Sequence, residues 1–455
     1  MNAKSLRLIV AATFLFPFAG TSQKQPSSDP LVPPGLEPLV KQFFADKKAQ
    51  AQALAKKQDQ PQLPEVWDFF EVGENGDWPR VAALYRTLRR GAYQYSGGRK
   101  EPLLQTTVWQ PVNECFGAYE QCAHGEEKYL TNFARGILDS IPPGSIYFGG
   151  TDPGRWLVTA FSKSHAQADP CFVLTQNALA DALYLKYLRL MYGDLMATPS
   201  DADSQRAFAE YVAEAGQRLK EDKLKPGENV TEEDGKVQVS GQVAVMEINA
   251  RIARVVFEAN PKHEFFIEES FPLEWMYPHL TPHGLIMKIE REPLAALPEK
   301  SLQDDRKYWT RFTDGAVGKW LTPETSVETV CKFAMTVFER KEAGQFRSDP
   351  KFVQNDYACK TFSKLRSSIA GVYAWRIKNT TSGAQKKRMT KEADFAFRQA
   401  FALCPYSPEA VFRYANLLVD QGRKKDAKLL AETAARLDPS NGGFARLVAD
   451  LAESK

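Results

Sequence analysis

The sequence predicts an α/β fold, a small mostly parallel sheet with flanking helices, joined to α-helical regions that end in a helical-hairpin repeat. Two observations carry that expectation. Short apolar runs alternate with helix-spaced segments between residues 141 and 300, the pattern of strands linked by crossover helices. Near the C-terminus, Pro405 and Pro439 each close a helix and lie 34 residues apart. Composition agrees with both. Apolar residues make up 43% and charged residues 25% of the 455, so the chain can bury a core, with length for about three domains. Lys and Arg number 59 against 56 Asp and Glu, for a net charge of +3. That near-balance gives no electrostatic reason to expect nucleic acid or an anionic membrane surface as partner.

Residues 1–22 read as a signal peptide. Lys4 and Arg7 form a basic start, Leu8 to Ala19 is almost wholly apolar, and Gly20-Thr21-Ser22 are small. An apolar run of about twelve falls short of the roughly 20 residues that span a bilayer; an uncleaved membrane anchor is the competing reading. No Cys follows the run, so no lipid anchor is expected. No later stretch approaches spanning length, so the mature chain is expected to have no transmembrane segment and to work outside the cytoplasm, periplasmic or secreted.

Residues 23–64 form a linker, rich in Pro, Ser and Gln, that contains a short helix from Leu39 to Lys57. Residues 65–140 are a helical subdomain, with helices at Trp67–Phe70 and Val81–Leu88 around a turn at Gly73, Gly76 and Asp77-Trp78-Pro79. Residues 141–300 are the α/β domain. Strands are expected at Ser145–Gly149, Cys171–Thr175, Phe265–Ile267 and, antiparallel, Gly284–Ile289. Asp152 before Pro153 reads as the cap of a helix reaching about Ser164. Asn177 reads as the cap of a helix through Tyr192, with Leu179, Leu183, Tyr187 and Leu190 at helical spacing. Residues 193–235 read as helix, then loop. Val245, Ile248, Ile252, Val255 and Ala259 mark another helix. Residues 301–363 are a helical connector and 364–455 the repeat region.

In the repeat, Ala393, Phe397, Ala400 and Pro405 recur as Ala427, Ala431, Ala434 and Pro439, with Tyr414, Ala415, Leu418 and Gly422 before them. Small residues let paired helices approach, and Pro ends each unit by withholding an N–H. This pattern resembles a tetratricopeptide repeat. Leu365 to Ile377 would complete the first unit, although an insert at Asn379–Thr390 is longer than that family's turn. Phe444 to Leu451 reads as a terminal capping helix. The region either docks a protein partner or packs on the α/β body.

Residues 141–291 also carry Ile141-Pro-Pro-Gly-Ser-Ile-Tyr-Phe-Gly-Gly-Thr-Asp152, Phe172-Val-Leu-Thr-Gln-Asn177, Glu258-Ala-Asn260 and Tyr277-Pro-His-Leu-Thr-Pro-His-Gly284. In this the segment resembles the soluble extracytoplasmic part of bacterial membrane proteins related to protein O-mannosyltransferases. The membrane half of that family is not in this chain. The resemblance therefore implies an accessory or stand-alone domain with a possible glycan ligand, not a transferase.

Ligands of parallel sheets bind beyond the carboxyl ends of the strands. Those ends carry Gly149-Gly-Thr-Asp152 and Arg155, then Gln176, Asn177 and Asp181, then Glu268, Glu269 and Ser270. The candidate ligand-binding residues are Asp152, Arg155, Gln176, Asn177 and Glu269, with Asp152 and Glu269 as acceptors and Arg155 for an anion. Helix capping and tight turns account for the same residues without a ligand. Asp152 and Glu269 as an acid–base pair have nothing in the sequence to fix their separation. No cofactor or metal is expected. His279 and His283 sit four apart, but Pro278 and Pro282 each precede one of them and oppose a regular helix, and Cys115, Cys122 and His124 lack a fourth ligand. No phosphate-binding loop or nucleophile elbow occurs. Of the six cysteines, Cys115/Cys122 and Cys331/Cys359 are the pairs to test for disulfides, or all six are buried hydrophobes. The expected role is a non-enzymatic interaction or scaffold protein; the alternative is a glycan or glycan-precursor binding domain.

Overall fold

A computed structural model describes residues 31–59, 61–89, 106–162, 171–268 and 273–453. The signal segment at 1–22, and Glu269 and Ser270, lie outside these. The described residues up to Trp275 form one compact unit and those from Met276 another.

The first unit opens with α1 (Glu37–Lys57), α2 (Pro64–Asn75) and α3 (Trp78–Arg89). In α1, Val40, Phe43, Phe44, Ala51 and Leu54 recur at helical spacing and are buried. Phe44 meets Phe69 of α2 with ring centres 5.4 Å apart. Gly76 ends α2 in the left-handed conformation, at φ 79°. Next come α4 (Trp109–His124) and α5 (Glu127–Leu138). A buried ion pair, Lys47 to Glu114, ties α1 to α4.

Three parallel strands follow: β1 (Ser145–Gly149), β2 (Cys171–Thr175) and, later, β5 (Phe265–Glu268). The central strand is β1, with Tyr147 opposite Val173 on one side and Phe266 on the other. Every residue of the three is buried, which is why they read as apolar runs and not as alternations. A π-helical turn (Pro153–Leu157) and α6 (Val158–Ser162) follow β1. The chain then returns from β2 through α7 (Ala182–Tyr192), α8 (Asp201–Lys220), the hairpin β3 (Asn229–Glu233) and β4 (Lys236–Ser240), and α9 (Gly241–Ala259). The first crossover runs from β1 to β2 and the second from β2 back past β1 to β5, in opposite directions along the sheet, so right-handed connections place them on opposite faces. The second covers one face through Tyr192 against Phe172 and Phe257 against Phe265.

Three local expectations are corrected here. Asp152 does not cap the following helix: its own backbone is helical and its side chain makes no cap bond. The cap is Thr151, whose Oγ1 accepts from the Gly154 N–H at 3.1 Å. Asn177 lies in a 3₁₀ turn; the cap of α7 is Asp181, which accepts from Leu183 and Tyr184. The stretch read as a loop to 235 contains β3 and the turn of the hairpin β3/β4. Its turn is Asp234-Gly235, both at positive φ (50° and 72°), as a two-residue hairpin turn requires. Val230, Val237 and Val239 face Tyr211 and Ala215 of α8 in a small separate core.

The second unit begins with the antiparallel pair β6 (Leu280–His283) and β7 (Ile286–Ile289). Of the two histidines, His283 thus lies in a strand, while His279 ends the 3₁₀ turn before it. Next are α10 (Glu299–Ala316), α11 (Val327–Ala334) with a π-helical turn to Glu339, and α12 (Pro350–Gln354). The last five helices are α13 (Asp356–Lys378), α14 (Gly383–Leu403), α15 (Pro408–Asp420), α16 (Lys424–Leu437) and α17 (Gly442–Glu453). The expected insert at Asn379–Thr390 is mostly helix. Only residues 379–382 form the turn, and Ser382 caps α14 through the Gln385 N–H. No helix among the described residues is long and apolar enough to cross a membrane.

All six cysteines are buried thiols. Cys115 and Cys122 share α4 seven residues apart, an axial separation of about 10.5 Å. A disulfide takes Cα atoms only about 4.4–6.8 Å apart, so this pair cannot bridge. Cys331, on α11, hydrogen-bonds Thr433 of α16.

Candidate functional site

The carboxyl ends of the parallel strands converge on one carboxylate, Glu268, the last residue of β5. Gly149 of β1 is its register partner, so the loop leaving β1 passes directly over it. Glu268 is 2% exposed. Its Oε2 accepts from the backbone N–H groups of Gly150 at 3.1 Å and Thr151 at 2.9 Å, and its Oε1 accepts from Thr151 Oγ1 at 2.5 Å. Charge-assisted bonds of this kind are short and offset the cost of burying the charge. Gly154 is required beneath it, since a Cβ there would lie 1.7 Å from Glu268 Oε2. The arrangement places backbone donors around an anion, and the anion belongs to the chain itself.

The five residues read from the sequence fare differently. Asp152 and Arg155 come together: Arg155 Nη2 donates to Asp152 Oδ1 at 2.5 Å, while its guanidinium lies over the Trp156 ring at 4.4 Å. Both side chains remain about one-quarter exposed. Asn177 donates from Nδ2 to the Gly150 carbonyl at 2.9 Å, so its amide fastens the same loop from the other side. The Asn177 carbonyl in turn accepts from Asn249 of α9. Gln176 is fully buried. Glu269 lies outside the described residues.

Three residues missed in the sequence matter here. Glu268 was visible only as one of three polar residues ending a strand. Glu120 of α4 lies near the Asp152–Arg155 pair; burial pushes its carboxyl up, with His124 opposing and Asp152 adding to the rise. Tyr147 of β1 has a buried hydroxyl, pushed well up by burial and then by Glu268. Among the described residues, the Tyr147 hydroxyl and both amide atoms of Gln176 meet no hydrogen-bond partner. No sequence pattern marks Tyr147, because a strand residue of this kind reads simply as core.

A second candidate lies on the terminal helices. Along α13, Lys360, Lys364, Gly371, Ala374 and Lys378 form a partly open stripe, and Glu409, Phe412, Arg413 and Asn416 continue it on α15. The two helices are laced together across it. Lys364 pairs with Glu409 at 3.2 Å, Lys378 with Asp420 at 3.0 Å, and Arg413 donates to the Ser367 carbonyl at 3.4 Å. Phe412 meets Phe444 of α17 with ring centres 5.6 Å apart. On the other side, α11 packs against α14 and α16. Among the described residues, no group of three or more His, Cys, Asp or Glu side chains is placed to hold a metal ion.

No protein-family model, curated protein or solved structure matches the chain.

Proposed function

We propose that this is a non-enzymatic interaction protein that acts outside the cytoplasm. It binds a protein partner through the face formed by α13, α15 and α17, in the manner of a tetratricopeptide-type repeat. The observation that carries the reading is the asymmetry of the helical hairpins. Their second helices, α14 and α16, are covered by α11, while the first helices present a laced, partly open polar stripe. Such a surface suits polar recognition of an extended chain better than burial against a core.

The glycan-binding alternative has less support at the strand ends. There, Asn177 is spent on the Gly150 carbonyl, Asp152 on Arg155, and Gln176 is sealed in the interior.

Asn416 and Ala374 are both partly exposed on that stripe. The test immobilises the full chain, captures a partner from an extracytoplasmic extract, and repeats the capture with Asn416→Arg and with Ala374→Arg. Expected is a partner held at least tenfold more weakly by both variants, at unchanged unfolding midpoint. A partner held equally by parent and variants, or none at all, overturns the reading.

A further inference from the structure

We infer that Cys359 and Cys404 are a dithiol pair that closes to a disulfide and staples the open end of the α13/α14 hairpin. The register of the hairpin places them together. Ser363 Oγ of α13 donates to the Ala400 carbonyl of α14 at 2.8 Å, and Arg366 Nε donates to Gln399 Oε1 at 2.9 Å. Cys359 lies one turn before Ser363, and Cys404 lies one turn after Ala400. In an antiparallel pair these two positions are again opposite each other. Small residues, Ser363 and Ala400, are what let the helices approach so closely at this end. Cys359 is in the first turn of α13 and Cys404 caps the end of α14, so the pair closes the end remote from the 379–382 turn.

Both thiols are wholly buried. Cys359 Sγ donates to the Phe352 carbonyl at 3.0 Å. Around the pair stand Asp356, Lys360, Lys341 and Tyr406. Lys360 pairs with Asp356 at 2.9 Å and lies 5.5 Å from the Tyr406 ring centre. Burial pushes both thiols up, and after burial the nearness of Cys404 is the next largest cause for Cys359. A thiol held so far up is a poor nucleophile, so the folded pair resists attack from solvent and the bond forms while the hairpin end is open.

The chemistry balances with a small-molecule disulfide as oxidant. One cysteine thiolate attacks glutathione disulfide, forming a mixed disulfide and releasing one glutathione thiolate. The second cysteine thiolate attacks the mixed disulfide, forming the Cys359–Cys404 bond and releasing the second glutathione. Two protein thiols are oxidised, one glutathione disulfide is reduced to two thiols, and two protons leave the cysteines for those thiols.

The inference stands independently of partner binding, because its readout is covalent. The full chain is unfolded in guanidinium and refolded in a buffer of reduced and oxidised glutathione. Remaining thiols are alkylated and the linked peptides mapped by mass. Expected is a dominant Cys359–Cys404 peptide, lost in Cys359→Ser, closing a loop of about 45 residues. The unfolding midpoint of the second unit should rise by roughly 5–10 °C over the reduced chain. The Cys359→Ala/Cys404→Ala double variant, refolded alongside, should keep the parent's circular dichroism, which separates a failed bond from a failed fold. Alkylation of all six cysteines, or a dominant link through Cys331 or Cys115, overturns the inference.

Discussion

Glu268 in the first unit and Asp305 in the second are both buried carboxylates, and the two regions hold them by different chemistries. Glu268 is met by two backbone N–H groups and a hydroxyl, all from the loop that leaves β1. Asp305, on α10, is met by a guanidinium: Arg366 Nη1 donates to both carboxylate oxygens at 2.8 and 2.9 Å, and Tyr373 Oη donates at 2.7 Å. Arg366 is itself 1% exposed and lies over the Trp309 ring. The first arrangement fixes one loop locally. The second ties α10 to α13, and through Gln399 to α14, so its loss leaves a buried cation behind. A carboxylate served by backbone donors and one served by a buried arginine therefore differ in what is stranded when they are removed.

The largest expected effect tests that difference directly. Asp305→Ala strands Arg366 and should cost about 3–5 kcal/mol, measured by denaturant unfolding. Glu268→Ala strands the neutral donors of Gly150 and Thr151, and water can reach a loosened loop, so about 2–3 kcal/mol is expected. A loss at Glu268 equal to that at Asp305 would break the comparison. Glu268→Gln keeps an acceptor for the Gly150 and Thr151 amides and should recover part of the loss.

A third carboxylate sharpens the comparison through pH. Burial acts to raise the Glu228 carboxyl. The hydrogen bonds from Arg218, the Lys225 N–H and Tyr211 outweigh it and hold the group below its ordinary value. A carboxyl lowered on folding adds stability that is fully present above its unfolded value, about 4.3, and is lost as pH falls through the folded value. Acid titration of unfolding should therefore show parent and Glu228→Gln differing by a constant amount above about pH 5 and converging below about pH 4. Curves that stay parallel through that window would remove the hydrogen bonds as the cause.

The smallest effect is expected at Asp152. Its pair with Arg155 is partly exposed, and such pairs contribute less than about 1 kcal/mol. Asp152→Ala should shift thermal unfolding by no more than a few degrees. A larger loss would mean that the pair holds the π-helical turn over β1.

Much of this arrangement was legible in advance, and the misses have identifiable causes. The three parallel strands were found because strands buried on both faces are continuous apolar runs between turns. The α15/α16 hairpin was found because Ala415, Ala427 and Ala431 are small where helices must touch, and all are fully buried. The start of α14 was missed because Lys386, Lys387 and Arg388 look like a solvated loop, yet only one side of that helix needs to be apolar. The β3/β4 hairpin was missed because its core face is short and its outer face, Asn229, Thr231, Glu233, Lys236, Gln238 and Ser240, is wholly polar. At the candidate site the polar strand ends were located, but not the order among them. Capping passed from Asp152 to Thr151, and Asn177 proved to hold a loop.

The sequence by itself determined where the chain is apolar, where Gly and Pro interrupt it, and at what spacing its last helices repeat, because those follow from side-chain size and backbone freedom along the chain. Which polar groups are spent was decided only by the tertiary structure. Glu268 is enclosed because the crossovers from β1 and β2 bring the Gly150–Thr151 amides and the end of β5 to one point. Cys359 meets Cys404 only because α13 and α14 pair antiparallel in the register set by Ser363 and Ala400. A hydrogen bond or a thiol pair depends on distances between residues far apart in sequence, and folding alone sets those distances.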